Sequence, residues 1–381
     1  MTASVFAQES ALPDALPGLQ IQRWLRTVED EYVSDYVASG GSAVKVITGT
    51  DALLAEAMAG LRAQAERQRM YYAHLDPAVR DENGRRPDFH RIERFFFEVT
   101  RGVDWKAWAA AQARQYLQTQ GIYLAEGRDL GDLQQIAQDN GRDEQDLVNQ
   151  YQRELATPQI RDTRLSIEFR TAITALSRAL LLPDSVTPTT EEVLLGWFRG
   201  QALPGAAAAL KRVQIYERIN LSNARPMLAS FCRWLPQAGC GGLVVTLDFR
   251  PYEYKKMARG RRQAEQLQRM RDAIQRGASA EELQRLAIDE GANEPDVTYS
   301  DAAYMQMLQT IRRFIDEIDR FERFLLVILT TPSFYRDKTL DPTVKRCYFD
   351  YDALQTRIGQ EVHDARHANP AASLVMLGGG E

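Results

Sequence analysis

The chain has 381 residues, 44% apolar and 26% charged, and 47 basic against 52 acidic side chains leave it at −5. Those are the proportions of an ordinary globular protein with a sizeable core, and the acidic balance excludes a broad nucleic-acid-binding surface while allowing a local basic patch. The three cysteines (Cys232, Cys240, Cys347) form neither a disulfide framework nor a zinc site, no apolar run is long enough to span a bilayer, and the opening residues carry no secretory pattern, so a cytoplasmic, membrane-free protein is expected.

Residues 1–20 read as a flexible lead-in. Ile21 to Val37 has helical periodicity, with Trp24, Leu25, Val28, Tyr32 and Tyr36 on the inward face. A glycine turn at Gly40-Gly41 leads into a short strand, Ala43 to Thr48, and Gly49-Thr50-Asp51 opens a helix from Ala52 to Gln68. Tyr71 to Asp76 reads as a second strand. Strand, glycine turn, helix and strand make a βαβ unit, whose first turn is where a phosphate cradle sits. The cradle is missing here. A working one is Gly, four residues and Gly-Lys-Ser/Thr, with backbone N–H groups and the lysine surrounding the phosphates. This chain has no second glycine, lysine or magnesium-holding hydroxyl there. Thr50 or Asp51 instead makes a helix N-cap, and the Asp51 carboxylate lies where a phosphate would bring its own negative charge.

Residues 77–88 read as a surface loop. Phe89 to Gln120 is helical and rich in aromatic residues, which at helical spacing read as core. Residues 129–156 form helix, glycine stop and helix, and Leu283 to Val297 repeats that phrase. Both are expected to be helical inserts, near 121–160 and 255–300, without the basic residues a DNA-reading helix needs. Further helices follow at Ile160 to Leu182, at Glu191 to Gly200 with a cap at Thr189 or Thr190, and at Ala224 to Leu235, ended by Gly239.

The chain then reaches Gly241-Gly242-Leu243-Val244-Val245-Thr246-Leu247-Asp248-Phe249, a branched apolar run bounded by glycines and read as a buried central strand of a parallel sheet. Its terminal Asp248 lies at the carboxyl edge, where open α/β sheets bind ligands and where a P-loop NTPase places a magnesium-holding aspartate. Taken alone, the run is also what any core strand ending in an acid looks like. The next residue, a water-orienting glutamate in many ATPases, is Phe249. Lys255, Lys256, Arg259, Arg261 and Arg262 then form a basic stretch, readable as a solvated face or as a DNA or partner surface. Tyr304 to Phe324 is an amphipathic helix, with Met307, Leu308, Ile311, Phe314, Ile315 and Ile318 inward. Leu325 to Pro332 is a second buried strand, and its hydroxyls Thr330 and Thr331 lie where a phosphate-sensing polar residue sits in AAA-like NTPases. Tyr351 to His367 is a closing helix, and 371–381 a frayed tail. His363 and His367 lie four apart with no third ligand, so no metal site is expected.

These elements, in this order, resemble the P-loop ATPases of BREX-type bacteriophage defence systems, the BrxC/BrxD group. The resemblance is carried by Leu194-Leu195-Gly196-Trp197-Phe198-Arg199-Gly200, by Asn223-Ala224-Arg225-Pro226-Met227-Leu228, and by Ala238 to Val245 entering the central strand. It continues through Thr330 to Phe334 and Tyr351 to Ile358, and Gly40 to Gly49 is similar to the approach to that family's phosphate loop. The resemblance implies an α/β, P-loop NTPase-like (AAA-like) parallel sheet flanked by helices over 21–370, with largely helical insertions. It implies ATP binding and work beside other defence proteins on DNA. The sequence departs at the missing Gly-Lys-Ser/Thr and at Asp248-Phe249. The expectation is a catalytically inactive subunit with a vestigial nucleotide site (Gly49, Thr50, Asp51, Asp248, Thr330, Thr331), no cofactor, and a role in assembly with an active ATPase paralogue or another defence protein, as a homo- or hetero-oligomer. Two alternatives stand beside it: a divergent active ATPase using ATP and magnesium, and an accessory module contacting DNA weakly.

Overall fold

The computed structural model describes residues 18–79, 87–125, 127–154, 162–182, 186–253, 268–276, 279, 299–331, 334, 354, 357–358 and 369–378. The basic stretch (Lys255, Lys256, Arg259, Arg261, Arg262), the repeat at 283–297 and the His363/His367 pair lie outside them.

The core is a six-stranded sheet in the order β1-β6-β2-β5-β4-β3, with every pair parallel. Its strands are β1 (Leu19–Gln20), β2 (Ser42–Thr48), β3 (Tyr71–Leu75), β4 (Leu243–Asp248), β5 (Phe324–Thr330) and β6 (Leu374–Gly378). β4 and β5 are buried along their whole length, which is why they read as unbroken apolar runs rather than alternating ones. On one face pack α1 (Ile21–Thr27), a π-helix (Val28–Val37) and α2 (Asp51–Arg67), around a cluster with Ile47, Leu325, Val327 and Leu377. The other face carries α3 (Ile92–Val99), α4 (Trp105–Thr119), then beyond it α5 (Leu133–Asp139) and α6 (Glu144–Glu154), and α7 (Ile167–Leu181), α8 (Pro188–Phe198), α9 (Ala206–Arg212), α10 (Ala224–Trp234) and α11 (Asp301–Asp316). There Trp105 stacks on Phe198 at 4.0 Å between ring centres, inside a cluster that reaches Leu243, Val245, Leu326 and Ile328. The helix-turn-helix of α5 and α6 shares a separate small cluster with the end of α4.

The paired glycines before β4 have a steric cause. A Cβ on Gly241 would meet the Gln68 carbonyl oxygen at 2.8 Å, and one on Gly242 the Arg323 carbonyl oxygen at 2.8 Å. Both obstacles are backbone, so the chain can enter the sheet here only without side chains.

Several expectations are corrected. The tail 371–381 is not frayed at its start: Leu374–Gly378 is β6, paired with β2 and, through Leu377 and Gly378, with Leu19 and Gln20. The lead-in therefore ends before Leu19. The first helix does not keep α-period. In the π-helix the buried residues are Val28, Val33 and Val37: the step from Val28 to Val33 is five residues rather than four, as a wider turn allows, and it moves each later inward position on by one. Tyr36, expected inward, is 49% exposed. The helix ending in Trp197-Phe198 starts at Pro188 and is capped by Thr187, whose side chain accepts from Thr190 N. The helix expected from Tyr304 to Phe324 stops at Asp316, and Phe324 begins β5.

Candidate functional site

The order of the strands creates a switch point. From β2 the chain crosses by α2 to β3 at one edge, whereas from β5 it crosses the other way to β6. β2 and β5 are neighbours, so their carboxyl ends border the crevice where open α/β sheets hold ligands. Register brings the sequence-derived residues together there. Thr48 lies opposite Thr330, and Asp248 opposite Leu329, while Gly49, Thr50 and Asp51 turn from β2 into α2 and Thr331 follows β5.

Most groups in this crevice have an internal use, Thr48 Oγ1 being the exception. The Thr50 hydroxyl caps α2, accepting from Leu53 N at 3.4 Å. Gly49 packs against β6, where an added Cβ would come within 3.3 Å of Leu377. Thr330 turns its hydroxyl into the sheet and donates to the Ile47 carbonyl at 3.2 Å. The Thr331 amide donates to Glu253 Oε2 at 2.8 Å. Phe249 is fully buried, stacked against Tyr252 and Tyr304 at 5.6 and 5.5 Å. An aromatic core position cannot orient a water.

The charge arrangement centres on a residue that the sequence reading passed over. Arg250 grips Asp248 with two nitrogens, Nε to Oδ1 at 2.9 Å and Nη2 to Oδ2 at 2.6 Å. Its backbone N–H also donates to Asp248 Oδ1 at 3.1 Å, and its remaining nitrogen, Nη1, reaches Asp51. The guanidinium thus spans from the end of β4 to the start of α2. The two ends differ in environment, with side-chain exposure of 8% at Asp248 and 79% at Asp51. Bidentate arginine–carboxylate pairing is strong and directional, and here it occupies both oxygens that a magnesium-bound water would need. Asp51 is thereby neutralised rather than left to repel an anion.

Next to this clamp, on the α2 face, Thr246 is buried and its hydroxyl bonds to both Tyr72 Oη and His74 Nδ1, each at 2.8 Å. His74 is exposed at its outer edge. Burial of the inner ring lowers its pKa, against the opposing pull of Asp76 and Asp248. Lys45, on β2 but at its amino half, is buried with its ammonium against the Tyr32 ring and hydroxyl. It does not reach the crevice. Among the described residues no three His, Cys, Asp or Glu side chains are grouped to hold a metal.

The residues present do not fit a magnesium nucleotide: the wrapping loop and its lysine are absent, and the acid is occupied by a side chain of its own protein. The residues grouped from the sequence, Gly49, Thr50, Asp51, Asp248, Thr330 and Thr331, lie at one edge of the sheet, whereas Arg250 and Glu253, which bond to members of that group, were missed. The signal for Arg250 was an arginine two residues after the strand-ending acid.

No helix among the described residues is long and apolar enough to cross a membrane. No curated protein and no solved structure matches the chain. One family model does, that of the BREX system ATP-binding protein BrxC/D, to which residues 129–287 are similar, a stretch that takes in Asp248 and Arg250 but not the Gly49–Asp51 turn.

Proposed function

We propose that this chain is a P-loop-like subunit of a BREX-type phage-defence system that neither binds nor hydrolyses ATP, and that it acts by assembly with an active ATPase paralogue or another defence protein. The observation that carries this reading is the Asp248–Arg250–Asp51 clamp, which fills the place of the metal and phosphate with one of the protein's own cations. The parallel sheet and its switch point support a P-loop ancestry. Removing one positioned contact from such a site typically costs about 2.7–4 kcal/mol of transition-state stabilisation, and here the lysine, the metal hydroxyl and the water-orienting glutamate are all replaced. Calorimetry with ATP and magnesium tests the first half, and no heat of binding is expected up to millimolar nucleotide. Tight binding that disappears in Asp248→Ala overturns it in favour of a divergent ATPase. Buried Glu253 at the same edge is the observation that favours that rival. The second half is tested by size-exclusion chromatography with light scattering, on the chain alone and co-expressed with an intact P-loop ATPase of such a system. A strictly monomeric protein in both runs overturns it.

A further inference from the structure

We propose that the sheet carries a slot for one short extended peptide strand, beside the amino half of β2, and that the slot selects a basic segment of a partner protein. The inference rests on the assembly reading above and names a surface for it.

Among the described residues the sheet has a gap at this point. β2 pairs with β5 from Ser42 onward, but with β6 only from Val46. On the β6 side, no described strand lies beside Ser42–Lys45. The Val46 N–H donates to the Ser373 carbonyl at 2.7 Å, which fixes which way its backbone faces. In a parallel ladder a residue directs both N–H and C=O to one neighbour, and alternate residues face the same side. Val44 therefore presents its N–H and C=O to the gap. Free strand edges of this kind pair readily with an added strand.

The gap is also a cavity of about 520 Å³. It is walled by the π-helix from one layer and by Ile315 and Ile318 from the other, so it lies between the two helical layers, level with the edge of β2. Four residues of β2 expose about 13 Å of edge, at ~3.3 Å per residue.

Charge selects the occupant. Glu31 and Asp35 line the cavity, are exposed, and have no side-chain partner among the described residues. The Tyr36 ring stands beside them, 49% exposed. The cations of the same cavity are engaged. Lys45 lies under the Tyr32 ring and donates to the carbonyls of Ala371 and Ala372, and Arg357 is paired with Asp316. Two carboxylates without a side-chain partner among the described residues, beside a half-exposed tyrosine ring, suit an ammonium or guanidinium.

The probes are two fluorescent heptapeptides, one alternating valine with lysine and the other valine with glutamate, titrated by polarisation against the full chain. The lysine peptide should bind about tenfold or more tighter than the glutamate one. The double variant Glu31→Lys, Asp35→Lys, changed only at exposed positions, should reverse that preference. N-methylation of alternate peptide residues should abolish binding in one register and spare it in the other, because only one set of amides faces β2. Binding of neither peptide, an unreversed preference, or equal loss in both registers overturns the proposal. Assembly with the ATPase is read separately. If it persists in a charge-reversed chain, the slot fails while the assembly reading stands; if peptide binding holds and no assembly is seen, only the assembly reading fails.

Discussion

Arg250→Ala is the perturbation that most directly tests the clamp, because its two arms differ in environment. Toward Asp248 the substitution removes both guanidinium bonds from a carboxylate only 8% exposed. Stripping one partner from a buried pair costs ~3–5 kcal/mol, since the remaining charge stays desolvated. The Arg250 backbone N–H survives in the variant and still serves Asp248 Oδ1, so the low end, about 3 kcal/mol, is expected. Toward Asp51 the loss is small. That side chain is 79% exposed, and pairs with a solvated partner are worth ~0.2–1 kcal/mol. Urea unfolding of wild type, Arg250→Ala and Asp51→Asn should therefore rank them with Arg250→Ala lowest by about 3 kcal/mol and Asp51→Asn within ~1 kcal/mol of wild type. Arg250→Lys should recover only part of the loss, as an ammonium cannot fork across two oxygens. If Arg250→Ala costs under ~1 kcal/mol, or if Asp51→Asn costs as much as it does, the electrostatic account of the crevice is wrong.

Two threonines at the same edge should respond in opposite directions. Thr48 Oγ1 is buried without a hydrogen-bond partner among the described residues, so Thr48→Val should be neutral or stabilising by up to ~1 kcal/mol, whereas Thr330→Val, which breaks the bond to Ile47, should cost ~1 kcal/mol in the same unfolding assay. His74 supplies a pH test. Its folded pKa lies below the unfolded value of 6.5, so the unfolded chain takes up the proton first and stability falls as pH drops from above 6.5 toward the folded pKa. His74→Gln should flatten the stability difference between pH 7.5 and 5.5; an unchanged slope would show that His74 contributes nothing to it.

Much of this architecture can be read from composition and period. β4 and β5 are legible because strands covered on both faces become unbroken apolar runs, and Thr50 as a cap because the acceptor it offers is local. Asp248 and Thr330 are found for the same reason, as the polar residues that end such runs. What escapes the sequence depends on contacts between distant segments. Arg250 stands two residues from Asp248, yet its link to Asp51 spans 199 positions and exists only once β4 lies next but one to β2. β6 is missed because five residues at a chain end pair at both edges only after the sheet has formed. Tyr36 is misplaced because an α-period was assumed where the backbone takes π-turns.

The clamp also bears on why two carboxylates and a guanidinium are kept at this edge. Stability does not require it: well-packed apolar residues in place of a buried ion pair are often as stable or more so. A bidentate fork differs from apolar packing in direction, since it holds one carboxylate at a fixed angle and distance. In a working P-loop NTPase the magnesium is held jointly by the phosphate-loop hydroxyl and the strand-ending aspartate, so the ligand itself ties those two elements together. Here Arg250 makes the corresponding tie, from Asp248 on β4 to Asp51 on α2, with no nucleotide in it. On the reading proposed above, that tie would hold the carboxyl edge of the sheet in one geometry whatever the nucleotide level. The proposed assembly role requires such a fixed surface, whereas a cycle of binding and hydrolysis requires an edge that responds to its ligand.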